Sequence, residues 1–152
     1  MKSRDVAELN SHVVYLRSLG YRLAREQGLA PREYELLLAV KALPADTPRG
    51  IGELAAWLSM QHHGVVELAT RLQRRGLLRR YRDQRDGRQA RLALTAFGAR
   101  VLRELVAREQ SHLRASASPL VSTLRRVVGQ LPVNGGNGHA GRANGNGRNH
   151  GW

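Results

Sequence analysis

Residues 51–95 restrict the fold of this chain more than any other stretch. Two short helical patterns are followed at once by two strand patterns around an Asp-Gly turn. Glu53 to Leu58 is rich in helix formers and is opened by the flexible pair Gly50 and Gly52. Ser59-Met60-Gln61 is short and polar enough to be a turn. A second helix is predicted from about His63 to Arg75, stopped by Gly76, the residue type expected just past a helix end. Along it Val65, Leu68, Ala69 and Leu72 recur at i, i+3, i+4 and i+7, so one stripe is buried. The opposite face carries His63, Glu67, Thr70 and Arg74, flanked by Val66 and Arg71, and is free to touch a partner. Leu77 to Arg82 and Arg91 to Thr95 suit two strands joined across Gln84 to Gln89, a turn built on Asp86-Gly87.

Within this segment, residues 71–91 concentrate arginine: Arg71, Arg74, Arg75, Arg79, Arg80, Arg82, Arg85, Arg88 and Arg91, against only Asp83 and Asp86. A run of charge is usually a solvated face. Here the guanidinium groups coincide with a helix-turn-helix and a hairpin, and arginine forks onto phosphate and enters narrow minor grooves. The coincidence points to double-stranded DNA. The whole chain agrees: its 152 residues carry a formal charge of +13, with Lys2 and Lys41 the only lysines, a balance that favours polyanions.

Ile51-Gly52-Glu53-Leu54-Ala55, Val65 through Leu72, Arg75-Gly76-Leu77, Asp83 to Arg88, and Leu94-Thr95-Ala96-Phe97-Gly98 together resemble the MarR family of bacterial winged-helix regulators. The family pattern is a helix, a recognition helix ending in Leu-x-x-x-Gly-Leu, a wing with Asp-x-Arg, and a Leu-Thr-x-x-Gly start to the next helix. The resemblance covers roughly residues 5–130. The chain departs from it at Glu67, where many members carry a basic residue, at Val66, where Ser or Thr is common, and at Gly87, which replaces a frequent wing arginine.

The fold expected is mainly α with a small β-hairpin: a winged helix-turn-helix DNA-binding lobe at 31–95, with N- and C-terminal dimerisation helices at 4–27 and 96–131. Val6, Leu9, Val13, Leu16, Gly20 and Leu23 hold one face of the first helix, and Val14, Tyr15 and Leu19 widen it. A surface that long at the chain's start suits a second subunit, although a single-domain core also absorbs it. Pro31 opens the second helix, behind a weak cap at Ala30. Thr95 caps a long helix expected to end near His112 or Ala115, and Ser118-Pro119 is expected to start a last one with Leu120, Val121, Leu124, Val127, Val128 and Leu131 along its stripe. In the resembled family such terminal helices interlock into a homodimer. Residues 132–152 turn abruptly to Gly and Asn, with too few apolar side chains to offset ordering entropy, and read as a disordered tail.

Enzyme chemistry finds little footing. Gly136 to Gly141 matches G-x-G-x-x-G without the strand and helix that make such a loop hold a pyrophosphate. Glu109 and His112 have di-iron spacing but no second pair, and the adjacent His62 and His63 diverge by about 100° on a helix, poor for chelation. No cofactor and no metal are expected. With no cysteine, no signal-like N-terminus and no apolar run of spanning length, the reading is a soluble cytoplasmic protein without membrane contact.

The residues expected to meet DNA are Gln61, His62, His63, Val66, Glu67, Thr70, Arg71, Arg74, Arg82, Arg85 and Arg88. The resemblance implies a dimeric regulator, a repressor of a palindromic operator released by a small aromatic or phenolic effector. By residue type and approximate position, His12, Tyr15, Arg17 and Trp57 are the candidates for that effector's pocket. Two other readings stay open: a nonspecific basic nucleic-acid or architectural module, and a basic protein–protein adaptor.

Overall fold

The computed structural model describes residues 3–85 and 87–129. The expected tail at 132–152 and Asp86 lie outside them. Element order is α1 (Ser3–Glu26), α2 (Pro31–Ala42), α3 (Ile51–Leu58), α4 (His62–Arg74), β1 (Leu78–Arg82), β2 (Ala90–Leu94) and α5 (Ala96–Gly129). Predominantly helical with one antiparallel hairpin, this is the fold class the periodicity predicted.

The core forms where the apolar stripes of the middle helices meet. Leu36 and Leu37 of α2, Leu54 of α3, Val65 and Leu72 of α4, Leu92 of β2 and Leu105 of α5 are all essentially inaccessible to solvent. Val65, Leu68, Ala69 and Leu72 are buried as their helical spacing requires. The hairpin pairs Leu78 with Leu94 and Arg80 with Leu92. Its second strand is also tied to the loop before α3: the Leu92 N–H donates to the Arg49 carbonyl at 2.9 Å, and Gly50 bridges to Arg91. The Arg49 side chain meanwhile donates to the Val40 and Leu43 carbonyls at 2.9 Å each, satisfying acceptors at the end of α2.

Ala30 makes no side-chain cap bond, as its residue type predicts, but the Glu33 carboxylate reaches back to accept the Ala30 N–H at 3.0 Å, half of a capping box without the cap hydroxyl. One local expectation needs correction: the chain does not break at Ser118-Pro119, and α5 is one helix of 34 residues with Pro119 inside it. Proline within a helix costs roughly 3 kcal/mol, and here packing offsets it. Helix α1 lies antiparallel along α5 and grips it on both sides of the proline. Glu26 pairs with Arg108, while Asp5 and Glu8 hold Arg126 at 3.2 and 2.8 Å. Thr123, fully buried, donates to Glu8 at 2.6 Å. This bond, followed by Arg126, holds the Glu8 carboxyl below its ordinary range.

Packing within the chain uses only part of the apolar surface of the terminal helices. Leu19 and Leu23 are buried, yet Val13, Val14 and Tyr15 on α1 and Val121, Leu124 and Val128 on α5 stay exposed, Val14 to 63%.

The sharpest steric constraint is where the hairpin meets α5. Gly76 ends the α4 turn in the left-handed region (φ 72), directing Leu77 into the core. The Leu77 carbonyl accepts the Thr95 N–H at 3.1 Å. The Thr95 hydroxyl donates to the Gly76 carbonyl at 2.5 Å and accepts the Gly98 N–H at 2.9 Å, capping α5. A Cβ on Gly98 would lie 2.0 Å from the Leu77 oxygen. Gly98→Ala is therefore expected to destabilise the fold by about 2–3 kcal/mol in denaturant melts, as an overpacked contact against backbone. Gly52→Ala, whose Cβ meets nothing within 4 Å, is expected to be neutral or slightly stabilising. Equal melts for the two variants would contradict this reading of the joint.

Candidate nucleic-acid interface

The residues expected to meet DNA lie on α4, at its N-cap Gln61, and on the hairpin. Because the Val65–Leu72 stripe faces the core, His63, Glu67 and Arg74 are exposed on the opposite face, and Gln61 and His62 are exposed at the helix start. The α4 start has no side-chain cap, which leaves the first-turn N–H groups beside His62 and His63 able to meet an anion. His62 also shares a cleft of about 400 Å³ with Ile51, Gly52, Glu53, Arg88, Gln89 and Ala90, so the wing and the start of α4 border one concavity.

The arginines divide by what they touch. Arg75 donates to the Gly28 carbonyl at 2.9 Å and to Glu33 at 3.1 Å. Arg71, nominated for DNA, stands 3.7 Å from the other Glu33 oxygen, so part of its charge is directed at α2. Glu33 is buried and thus holds three groups: the start of α2 and two guanidinium groups from the end of α4. Arg91 pairs with Asp83 at 3.0 Å, though its Nε is buried without a partner among the described residues. Arg82 reaches the Gly87 carbonyl across the hairpin at 3.5 Å. Arg85 and Arg88 are exposed at the tip.

Thr70 was nominated as an outward hydroxyl, but both its roles are occupied. It donates to the Val66 carbonyl at 2.8 Å and accepts from Arg80 at 3.2 Å. Val66 is half-buried beside it.

Three residues that organise this face were missed in the sequence. Asp83 accepts the Arg85 N–H at 3.0 Å while pairing with Arg91, fixing the wing's shape. The Asp-x-Arg spacing signalled it, since Asp side chains commonly accept the amide two residues on. Glu33 carried its own signal as the third helical residue after a cap position. Arg80 shares strand phase with Leu78, a charge where the pattern asks for an apolar side chain.

The effector candidates fall in two places. Arg17 and Trp57 line a cavity of about 420 Å³ with Arg32, Glu35, Leu38, Ala39, Ala42, Leu58 and Ser59. His12 and Tyr15 instead border a small crevice between α1 and α5, with Leu16, Leu113, Ser116 and Leu120. Next to the larger cavity the Tyr21 hydroxyl donates to Glu35 and accepts from Arg17 at 2.9 Å, and burial followed by Glu35 raises its pKa.

Among the described residues, no group of three or more His, Asp or Glu side chains is placed to hold a metal ion. None of the helices there is long and apolar enough to cross a membrane.

A helix-turn-helix followed by a two-stranded wing and joined to long terminal helices is a winged helix-turn-helix protein. Residues 27–89 match the model of the MarR family. Members of that family are transcriptional regulators, not enzymes. The fold is similar to transcriptional regulator Tm0710 from Thermotoga maritima, with 22% identity over 84% of this chain and 94% of that one and a TM-score of 0.66. It is also similar to a MepR variant from S. aureus bound to an oligodeoxyribonucleotide, with 16% identity over 87% and 99% and a TM-score of 0.61. CouR from Rhodococcus jostii RHA1, bound to p-coumaroyl-CoA, matches at 23% identity over 82% and 92% with a TM-score of 0.57. No curated protein matches the sequence.

Asp83→Ala removes the acceptor of the Arg85 amide and the counter-charge of Arg91 together. Hairpin amides are expected to exchange hydrogen about tenfold faster, while α4 amides are unchanged. Unaltered hairpin exchange would mean that Asp83 does not fix the wing.

Proposed function

We propose that the chain acts as a homodimeric transcriptional regulator that binds a two-fold-symmetric operator, as a repressor released by a small-molecule effector. The observation that carries the DNA reading is the cleft shared by His62 at the start of α4 and Arg88 on the wing, with Gln61, His63, Glu67 and Arg74 exposed along and before α4 and Arg82 and Arg85 exposed on the hairpin. In this reading α4 enters the major groove, and the wing arginines meet phosphates and the neighbouring minor groove. The oligodeoxyribonucleotide bound by the MepR variant supports it. The dimer reading rests on exposed Val13, Val14, Tyr15, Val121, Leu124 and Val128, which a second copy covers.

The effector reading rests on the cavity of Arg17, Arg32 and Trp57. An exposed indole beside two guanidinium groups suits an aromatic acid. The aromatic acyl-CoA named for CouR is consistent with that chemistry. The formal charge of +13 favours a second reading, a nonspecific basic nucleic-acid module.

Binding of wild type and Arg85→Ala is to be measured at several salt concentrations. The two probes are a duplex enriched by the wild-type protein from a randomised pool and its scrambled counterpart. Wild type is expected to prefer the enriched duplex, with affinity falling steeply as salt rises. Arg85→Ala is expected to weaken both duplexes alike and reduce the salt slope by about one. Equal wild-type affinity for the two duplexes would establish the nonspecific reading, and absence of salt-dependent binding would remove DNA altogether. Sedimentation at micromolar concentration is expected to show a dimer that Val14→Asp weakens, and a compact wild-type monomer would overturn the assembly.

A further inference from the structure

Arg80 occupies an inward position of β1, opposite Leu92 and in phase with Leu78, both buried. Its side chain does not enter the core. It lies across α4, where Nη2 meets the Thr70 hydroxyl at 3.2 Å and the Val66 carbonyl at 3.5 Å. Thr70 lies on the same helical face as His63, Glu67 and Arg74, at 3.6-residue spacing. Arg80 therefore covers the middle of the face that Thr70 was expected to present. Nη2 anchors the guanidinium through one side; both parallel N–H pairs of a guanidinium include Nη2, so the fork left open is its second hydrogen together with the adjacent N–H.

We propose that Arg80, anchored by Thr70, is a sequence-reading residue that presents its free fork to a guanine in the major groove, an assignment that rests on the DNA-binding reading above. The Thr70 hydroxyl is the positioning group. Its single proton goes to Val66, so its lone pair faces Arg80 and fixes where the fork sits. A pre-positioned guanidinium loses little side-chain freedom on contact, and its two parallel N–H groups match O6 and N7 of guanine. Lysine keeps the charge without the fork, which separates base reading from phosphate attraction.

The test repeats the duplex selection and the salt-dependent binding with Arg80→Lys, Arg80→Ala, Thr70→Val and Thr70→Ser, using Arg85→Ala as the control for duplex contact. Arg80→Lys is expected to keep the wild-type salt slope and its affinity for scrambled duplex. It is expected to narrow the preference for the enriched duplex about tenfold and to lose one G·C position in each half-site. Arg80→Ala is expected to narrow it at least as far. Thr70→Val follows in the same direction, and Thr70→Ser restores wild-type preference. Melting temperatures are expected to stay within a few degrees of wild type for all four. If Arg85→Ala weakens duplex binding while Arg80→Lys and Thr70→Val keep the wild-type preference, the Arg80 assignment is overturned and the DNA reading stands. If Arg80→Ala loses affinity equally on both duplexes with a lowered melting temperature, Arg80 is only a strut between β1 and α4. If neither wild type nor Arg85→Ala binds duplex, the DNA reading falls and this one with it.

Discussion

The carbonyl oxygen of Leu77 is the point on which the other elements are set. It accepts the Thr95 amide, and the Cα of Gly98 lies so close that no side chain fits between them. Through Gly76 and Thr95 the end of α4, the base of the hairpin and the first turn of α5 are closed into one joint. The Leu94-Thr95-Ala96-Phe97-Gly98 string thus has a mechanical meaning: a returning strand, a hydroxyl that both closes the corner and caps the helix, and a glycine that lets the helix start against backbone. Because α5 also packs along α1, this joint connects the terminal helices to the hairpin and to α4.

A second constraint is how the chain allots its arginines. With so few carboxylates, each buried or half-buried acid decides which guanidinium groups face inward. Glu33 takes Arg75 and part of Arg71, Asp83 takes Arg91, and Asp5 and Glu8 take Arg126. Arg49 is taken by backbone carbonyls. In the proposed reading, the guanidinium groups outside these pairs on the α4 and wing side face a phosphate backbone. Net charge sets the attraction, and these internal pairs set its location.

The elements that sequence reading found were those where one period dominates. The stripe Val65, Leu68, Ala69, Leu72 and the stop at Gly76 defined α4 almost to the residue. The hairpin followed from its turn chemistry and alternation. The break at Ser118-Pro119 failed because a local rule was applied where tertiary packing wins: α1 holds α5 on both sides of the proline. Site residues were less legible for a related reason. Helical phase put Thr70 on the outer face, but only the packing of β1 against α4 reveals that Arg80 lies over it. Likewise His12 and Tyr15 share the helix of Arg17, yet a helix turns them toward α5 and not toward Trp57.

The proposed account joins a two-fold pairing of terminal helices to a pair of reading heads, and geometry gives that joining a direct measurement. Hydroxyl-radical footprinting of the full chain on its enriched duplex is predicted to show two protected half-sites related by two-fold symmetry. Their centres should lie about 10 bp apart or a multiple of it, with flanking minor-groove protection that Arg85→Ala and Arg88→Ala reduce. A single asymmetric half-site, or even protection along the whole duplex, would contradict it.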